Sequence, residues 1–285
     1  MMDKLVKSIR TREIIEKYKF RINKGLGQNF LIDEDILETI VSASDLTKDD
    51  HVLEIGPGLG TLTLELSENA GKVLTVEIDD SLIPILNNIF EGYDNVTLFH
   101  GDALKIDIDE IVRQNLKEPI SICANIPYYI TTPLLSRFFK CDINIKNIVL
   151  MVQKEVGERM AAQPGNKDYG ALSLLIQYYS KPSIVTVVPP KCFMPQPKVD
   201  SVIIKLEMYK EPPVDVKDEK MFFSIVRNSF NQRRKTLSNS LKNLGLPQEV
   251  LLGAFERCSI DPVRRGETLS INEFADLSNE IYSMR

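Results

Sequence analysis

The clearest chemical signal in this chain is the sequence EIGPGLG at positions 54–60, which joins a short apolar strand to a segment with helical spacing. Glycine has no Cβ, so the backbone here can turn tightly and approach a ligand that other residues would keep away. A turn of this kind is typical of nucleotide-binding sites, although a purely structural turn has the same pattern. The glycines concerned are Gly56, Gly58 and Gly60.

Two acidic residues mark the ends of the next two predicted strands. Glu77 comes 21 residues after Gly56, where an acidic side chain can bind the two hydroxyls of a ribose. Asp102 follows the third strand and can accept a hydrogen bond from the exocyclic amine of an adenine. Either acid alone could be a solvated loop residue. Together with the glycine turn they predict an adenine nucleoside ligand, which both NAD and S-adenosylmethionine contain.

The sequence Asn125-Ile126-Pro127-Tyr128, at the end of the fourth strand, separates these two cofactors. An exocyclic amine is a poor nucleophile because its lone pair is delocalised into the aromatic ring. A side-chain amide oxygen and a neighbouring backbone carbonyl, held rigid by proline, can accept both N–H hydrogens and leave the lone pair facing an electrophile. Tyr128 offers a stacking face for the base. Hydride transfer has no use for this arrangement; the structural alternative is an Asx-turn followed by proline.

The elements that must position these residues alternate between strand and helix. Strands separated by helices of this length indicate βαβ units and a parallel sheet covered on both faces. The predicted strands span 51–55, 72–78, 95–100, 120–125 and 147–152, and the predicted helices between them span 61–69, 81–90, 108–116 and 133–140.

The flanking segments have other patterns. Residues 11–20 and 34–44 have helical spacing and enclose a glycine-punctuated loop. A helical stretch near 170–180 precedes two further β runs, which predict an antiparallel hairpin at the sheet edge. After a linker-like segment the pattern is helical to the end. The two β runs span 183–188 and 201–209, the linker spans 210–219, and the last helices span 220–233, 234–244, 249–256 and 272–282.

Composition excludes several classes of protein. The 285 residues are 43% hydrophobic and 26% charged, which is typical of a globular chain long enough for two domains. No apolar run approaches the roughly 20 residues that span a bilayer, and no apolar segment follows the basic N-terminus. The four cysteines and two histidines stand far apart, which argues against a zinc site or a disulfide framework and favours a reducing cytosol.

The net charge of −5 hides an uneven distribution. Residues 4–24 carry eight basic residues against two acidic ones, whereas residues 31–120 carry five against twenty. Residues 181–210 are again basic, and residues 227–242 contain five basic residues and no acid. An acidic middle flanked by basic segments can bind a polyanion on one face. Solvated helix faces are the alternative for any one of these segments.

The chain resembles the ribosomal RNA adenine N6-dimethyltransferases of the KsgA/RsmA type from about residue 10 to residue 280. The motifs that carry the resemblance are GLGQNFL (25–31), EIGPGLGTLT (54–63), VEID (76–79), GDAL (101–104), NIPYYITTPLL (125–135), QKEVGERM (153–160), FMPQPKVDS (193–201), FNQRRKTL (230–237) and RRGETLSINEFA (264–275).

This resemblance implies an α/β fold, a Rossmann-like class I methyltransferase sheet of seven strands with a small all-α C-terminal domain. Residues 1–50 would form an N-terminal segment that closes the cofactor site. Residues 51–210 would form the methyltransferase domain that depends on S-adenosylmethionine, and residues 211–285 would form a helical domain that docks RNA.

The resemblance also implies roles for single residues. Asn29 and Leu31 would hold the methionine side of S-adenosylmethionine, above a floor formed by the three glycines. Glu77 would bind its ribose and Asp102 its adenine. Asn125 would lie between the cofactor and the target amine. Tyr128 would stack on one face of the substrate adenine and Phe193 would close the other, although an aromatic ring packed under a loop is the alternative for Phe193.

The implied substrate is a pair of adjacent adenines in the hairpin loop near the 3′ end of small-subunit (16S) ribosomal RNA, within an assembling 30S particle. Each adenine would receive two methyl groups. We expect no metal and no membrane partner, a cytoplasmic location and, by default, a monomer. Arg233, Arg234 and Lys235 are expected to contact RNA phosphates, so binding should weaken steeply with salt.

Three alternatives stay open. The family tetrapeptide usually has Leu where this chain has Ile126, and Ile is also seen in the related antibiotic-resistance methylases that modify one adenine of large-subunit RNA. The glycine turn and Glu77 alone would also suit a nicotinamide-dependent dehydrogenase. A non-catalytic assembly factor that keeps the fold as a scaffold is the third alternative.

Overall fold

The computed structural model of the chain describes residues 11, 13–18, 20, 22, 25, 27–232 and 234–285, and only the backbone of Tyr128. Contacts divide the chain into two compact units. The first ends at Gly157 and resumes over Ser183–Met208, and the second contains Glu158–Pro182 and Tyr209–Arg285.

A seven-stranded sheet dominates the fold, in the order β4-β3-β2-β5-β6-β9-β7. The pairs β3–β4, β2–β3, β2–β5 and β5–β6 are parallel, and β9 runs antiparallel to β6. The predicted Rossmann-like sheet of seven strands is therefore confirmed. Its strands are β2 His51–Ile55, β3 Lys72–Glu77, β4 Val96–His100, β5 Ile120–Asn125, β6 Ile145–Gln153, β7 Ser180–Val188 and β9 Ser201–Met208.

The central strands form because most of their residues are apolar and buried. In β2 the four residues after His51 are buried, and in β5 the five residues before Asn125 are buried. Helices cover both faces of such a sheet, so its strands are continuous apolar runs. Each run ends where polar or glycine residues begin, and this places the candidate site residues at one edge of the sheet.

The helices of the first unit lie close to their predicted positions. Asp33 caps the helix Glu34–Ala43 by accepting a hydrogen bond from the Ile36 N–H, and Asp107 caps the helix Ile108–Asn115 in the same way through Glu110. The other helices between strands are Thr61–Asn69, Ile83–Ile89 and Thr131–Phe138. The helix Lys154–Ala161 directly follows β6.

The two β runs predicted to lie together at the sheet edge do so: β9 and β7 are neighbours there, with β7 outermost. One feature of the fold was not predicted. A second sheet of two short strands pairs β1, Phe30–Leu31, with β8, Phe193–Met194, in antiparallel register. Two-residue strands 160 positions apart give no periodic signal, which is why the sequence did not reveal this ladder.

The second unit is helical apart from Ser180–Pro182, which begin β7, and its C-terminal part is helical as expected. Its core contains Phe222, Phe255 and Phe274, and Tyr169 and Leu174 pack in the same cluster. Because of this packing, Glu158–Pro182 belongs to the same unit as the C-terminal helices. The sequence had placed these residues inside the 51–210 segment. The principal helices of this unit are Ala171–Tyr179, Glu219–Phe230, Leu237–Leu241, Gln248–Arg257 and Ile271–Ser283.

One helix prediction needs correction. The sequence placed Arg234 at the start of a helix running to Leu244, but the preceding helix ends at Phe230 and the next begins at Leu237. Thr236 is the residue before that short helix, which a 3₁₀ turn continues over Lys242–Leu244. Arg234 and Lys235 therefore lie in the connection, and both are exposed.

Within the described part of the chain, no helix is both long enough and apolar enough to cross a bilayer.

Candidate active site

A cleft opens where β2, β3, β4 and β5 end, and the loop that leads into β1 forms its remaining wall. This is the edge at which open α/β sheets bind ligands. Seven of the predicted site residues line the cleft: Asn29, Leu31, Gly56, Gly58, Glu77, Asp102 and Asn125.

The turn after β2 requires glycine at two positions, because the backbone there has a positive φ and a Cβ would clash with a neighbouring ring. Gly58 has φ +57°, and a Cβ there would lie 2.9 Å from Cδ1 of Phe30. Gly60 has φ +77°, and its Cβ would lie 2.9 Å from Cε1 of Phe90. Gly58 lines the cleft, whereas Gly60 lies outside the lining and begins the helix Thr61–Asn69. The position of Gly60 is thus explained by the turn and by packing.

The carboxylate of Glu77 is held at the end of β3 by backbone N–H groups. Its Oε1 accepts hydrogen bonds from Ile78 N and Asp79 N, both at 2.8 Å. The side chain is buried, and burial raises the pKa of Glu77; hydrogen bonds from Asp79, Ile78 and Gly58 partly offset that increase. A carboxylate fixed in this way is preorganised to accept hydrogen bonds from a pair of hydroxyls.

Asp102 lies in the loop after β4, and a backbone N–H and a lysine side chain fix its carboxylate. Its Oδ1 accepts from Leu104 N at 2.9 Å and its Oδ2 is paired with Lys105 Nζ at 3.1 Å. The hydrogen bond from Leu104 is the main reason that the pKa of Asp102 is lowered. The carboxylate therefore stays charged and able to accept a hydrogen bond from an adenine amine.

The same loop is anchored by Arg137, on the helix that follows the Asn125 motif. The guanidinium donates to the carbonyl oxygens of Leu104 and Ile106. Arg137 thereby joins the segment after β5 to the segment that carries Asp102. No pattern in the sequence pointed to this residue.

Asn125 ends β5, and its amide is oriented by the loop before β1. Its Nδ2 donates to the backbone carbonyl of Asn29 over a long distance of 3.4 Å. The side chain of Asn29 in turn donates to the carbonyl of Gly27 at 3.1 Å. Because Nδ2 faces Asn29, the amide oxygen Oδ1 is the atom left to accept a hydrogen bond from a ligand.

That loop is also tethered from its other side. Gln28 Nε2 donates to Asp79 Oδ2 at 2.7 Å, and Asp79 Oδ1 accepts from both the N–H and the hydroxyl of Ser81. Asp79 belongs to the VEID motif, but the motif alone did not reveal its partner. The loop over the cleft is thus fixed to both β3 and β5.

Glu54 is a buried acid in the cleft wall that the sequence analysis did not single out. It lies on β2, between Thr75 of β3 and Cys123 of β5, and its Oε2 accepts from Thr63 Oγ1 at 2.6 Å. Burial raises its pKa to about 7. Its place directly before the glycine turn was the available signal.

Phe193 does not line this cleft. It is only 2% exposed, pairs with Leu31 in the β1–β8 ladder and packs in the core beneath it. Phe193 therefore lies in β8, which pairs with the strand β1 that lines the cleft.

The remaining predicted residues lie elsewhere or outside the description. The side chain of Tyr128 and the whole of Arg233 lie outside the described residues. Arg234 and Lys235 belong to the second unit.

The donor set suits a nucleoside cofactor that carries a positive charge. Two carboxylates are fixed at strand ends, and a glycine turn leaves space that a Cβ would fill. Among the described residues, no group of three or more His, Cys, Asp or Glu side chains is placed to hold a metal ion.

The chain is similar to known proteins over nearly its whole length. A family model described as ribosomal RNA adenine dimethylase matches residues 19–283. A protein of Clostridium acetobutylicum named ribosomal RNA small subunit methyltransferase A is 53% identical over 277 residues, which are 97% of this chain and 100% of that protein.

Solved structures show the same similarity. A dimethyladenosine transferase from Plasmodium falciparum has a TM-score of 0.77 at 30% identity, over 90% of this chain and 98% of that one. The 23S rRNA methyltransferase ErmE has a TM-score of 0.69 at 24% identity, over 89% of this chain and 100% of its own, which shows a shared fold.

Proposed function

The chain belongs to the ribosomal RNA adenine dimethylase family, and from this we propose that it dimethylates N6 of two adjacent adenosines in the 3′-terminal hairpin loop of 16S ribosomal RNA. We propose an assembling 30S particle in the cytoplasm as the site of action. The identity of 53% to a small-subunit enzyme over nearly the whole chain favours this branch. Ile126, where the family usually has Leu, does not change the proposed methyl transfer, because that chemistry needs only the backbone carbonyl of residue 126.

The observation that carries the proposal is the placement of Asn125. Its amide lies in the same cleft as Glu77 and Asp102, and its Nδ2 contact with Asn29 leaves Oδ1 to accept from the target amine. Accepting both hydrogens, one at Oδ1 and one at the carbonyl of Ile126, orients the nitrogen lone pair. Polar groups fixed in advance cost little to reorganise.

S-Adenosylmethionine would supply the methyl group from its sulfonium. Glu77 would bind the ribose hydroxyls, and Asp102 would accept from the adenine amine. Asn29 and Leu31 would hold the methionine side, beside the glycine turn of Gly56 and Gly58. The buried carboxyl of Glu54 lines the same wall and, when ionised, favours a cationic ligand.

The remaining steps need no metal and no dedicated base. The methylated amine is cationic and loses its proton to water or to Oδ1 of Asn125. Tyr128 would stack on the target adenine. Phe193 is left out of this step, since its ring is 2% exposed and packs beneath the β1–β8 ladder, which is the alternative that the sequence left open.

The helical unit is proposed to dock the RNA. Arg234 and Lys235 are exposed in the connection between two helices, and residues 227–242 contain no acid. Together with Arg233 they would contact phosphates and make binding sensitive to salt.

The test is transfer of labelled methyl groups to unmethylated small subunits, large-subunit RNA and free adenosine in parallel, with digestion of the products. We expect dimethyladenosine from the small subunits alone. Label on large-subunit RNA would transfer the chain to the other branch. Particle binding with no label anywhere would leave a scaffold function.

A further inference from the structure

A second pocket lies beside the cleft and has no part in the function proposed above. Residues of the segment 13–18 form one side of it and the loop 191–196 forms the other. It is a concavity of about 390 Å³ that is open to solvent.

The lining of this second pocket combines apolar walls with three polar side chains. Ile15, Ile32 and Met194 are half-buried and supply apolar surface. The polar groups are the carboxylate of Glu16, the ammonium of Lys191 and the amide of Gln196. An amide that donates and accepts at once matches the edge of an adenine, and lysine is a common phosphate ligand. This set suits a nucleotide with an adenine base.

The β1–β8 ladder separates this second pocket from the cleft. Phe30 and Leu31 line the cleft, whereas their paired residues Met194 and Phe193 line the pocket. Paired strands lie about 4.8 Å apart, so one strand spacing lies between the two walls. No residue from Asn125 to Ile130 lines the pocket, so a target adenine that has to reach Asn125 is not its occupant.

We propose that the second pocket binds the adenine nucleotide next to the one that is being methylated. This inference rests on the proposed function, because it requires a substrate with two adjacent adenines. Gln196 and Glu16 hydrogen-bond the edge of the neighbouring base, Lys191 binds its phosphate, and the apolar walls cover its faces. The pocket thereby fixes the register of the dinucleotide while its partner occupies the cleft.

The experiment pairs a protein change with an RNA change. Unmethylated small subunits are reconstituted with RNA that carries either adenine or an abasic ribose beside the target adenine. Methyl transfer to the target is then measured as kcat/KM for the wild type, Gln196→Ala, Lys191→Ala and Lys198→Ala. Lys198 is an exposed lysine of the same loop that does not line the pocket, so it is the matched control for Lys191.

On the adenine-containing RNA we expect Gln196→Ala to lower kcat/KM about tenfold, the scale of one base contact. Removing the neighbouring base should cost the wild type a similar factor. For Gln196→Ala acting on the abasic RNA, kcat/KM should be less than about twofold lower than with either change alone. Lys191→Ala should weaken binding on both RNAs and reduce its salt dependence, whereas Lys198→Ala should not.

Three results would overturn the inference: Gln196→Ala as active as the wild type, effects of the protein and RNA changes that multiply, or equal losses for the two lysine variants. A variant with reduced affinity for S-adenosylmethionine, measured by calorimetry, would show a structural effect and would also count against the pocket. A wild-type protein that methylates no small subunit would instead refute the proposed function.

Discussion

Gln28 and Asp79, which are 51 positions apart in the chain, are joined by a hydrogen bond of 2.7 Å from the Gln28 amide to the Asp79 carboxylate. Asp79 is buried and is fixed by Ser81, so the bond anchors the loop that carries Asn29. A loop over a ligand site contributes to affinity only if it is held in its binding conformation.

Gln28→Ala should therefore weaken the binding of S-adenosylmethionine about three- to tenfold, the factor that corresponds to a typical net hydrogen bond of about 1 kcal/mol. Calorimetric titration measures this directly. Gln114→Ala is the control, because Gln114 is exposed and bonds only within its own helix. Equal affinities for the two variants would contradict the anchoring role.

Asn125→Ala should reduce methyl transfer to below about a tenth of the wild-type rate while cofactor affinity is largely kept. The reason is that Oδ1 acts on the target amine, and removing one preorganised hydrogen-bonding group from a catalytic site, measured for oxyanion-hole donors, costs about 10²–10³ in rate. Single-turnover transfer to small subunits and calorimetry with the cofactor separate the two effects. A variant above a tenth of the wild-type rate would remove Asn125 from its assigned role.

Glu77→Ala should show the opposite pattern, with cofactor affinity reduced at least tenfold. The carboxylate is already ordered by the Ile78 and Asp79 N–H groups, so little entropy is lost when it binds hydroxyls. Glu77→Gln keeps the size of the side chain and should lie between alanine and the wild type. An unchanged dissociation constant for Glu77→Ala would contradict ribose binding.

Much of the fold and part of the site could be predicted from the sequence because they depend on local patterns. The strands β2 and β5 are apolar runs that end at a chemically distinct residue, and their predicted bounds match the structure. Glu77, Asp102 and Asn125 were found because each stands at or just after the end of such a run. Seven predicted residues indeed line one cleft.

What could not be predicted depends on contacts between distant segments. The Leu31–Phe193 pair, the Arg137 contacts with the loop after β4 and the Gln28–Asp79 bond join positions far apart in the chain. Side-chain partners at such separations leave no periodicity. The prediction of a helix beginning at Arg234 was wrong for another reason. The polar residues 231–236 fit a helical spacing, but the helix before them ends at Phe230.

Arg137→Met should lower both stability and cofactor affinity. It keeps the apolar stem but leaves the carbonyl oxygens of Leu104 and Ile106 without their donor, which costs about 1–3 kcal/mol in the free energy of unfolding. The loosened loop also carries Asp102, so affinity for the cofactor should fall severalfold. Urea unfolding and calorimetry test both; Arg113→Met, at an exposed ion pair with Asp142, is the control. Loss of stability with unchanged affinity would exclude the link to Asp102.

The buried carboxyl of Glu54 predicts a specific dependence of stability on pH. Its pKa is raised from 4.5 to about 7 by burial, so the folded chain holds this proton more tightly than the unfolded chain does. The stabilisation is complete below pH 4.5, where both states are protonated, and is lost as the pH rises through about 7. The difference amounts to about 3 kcal/mol, at roughly 1.4 kcal/mol for each pKa unit.

Glu54→Gln stays neutral and keeps an acceptor for the Thr63 hydroxyl, so it should gain stability relative to the wild type between pH 5 and pH 8. Urea unfolding of both proteins across that range measures the gain, and Glu68→Gln, at an exposed helix position, should show none. Unfolding curves for Glu54→Gln that stay parallel to the wild type at every pH would mean that Glu54 is ionised throughout, and that the cleft carries a fixed negative charge instead of a titrating one.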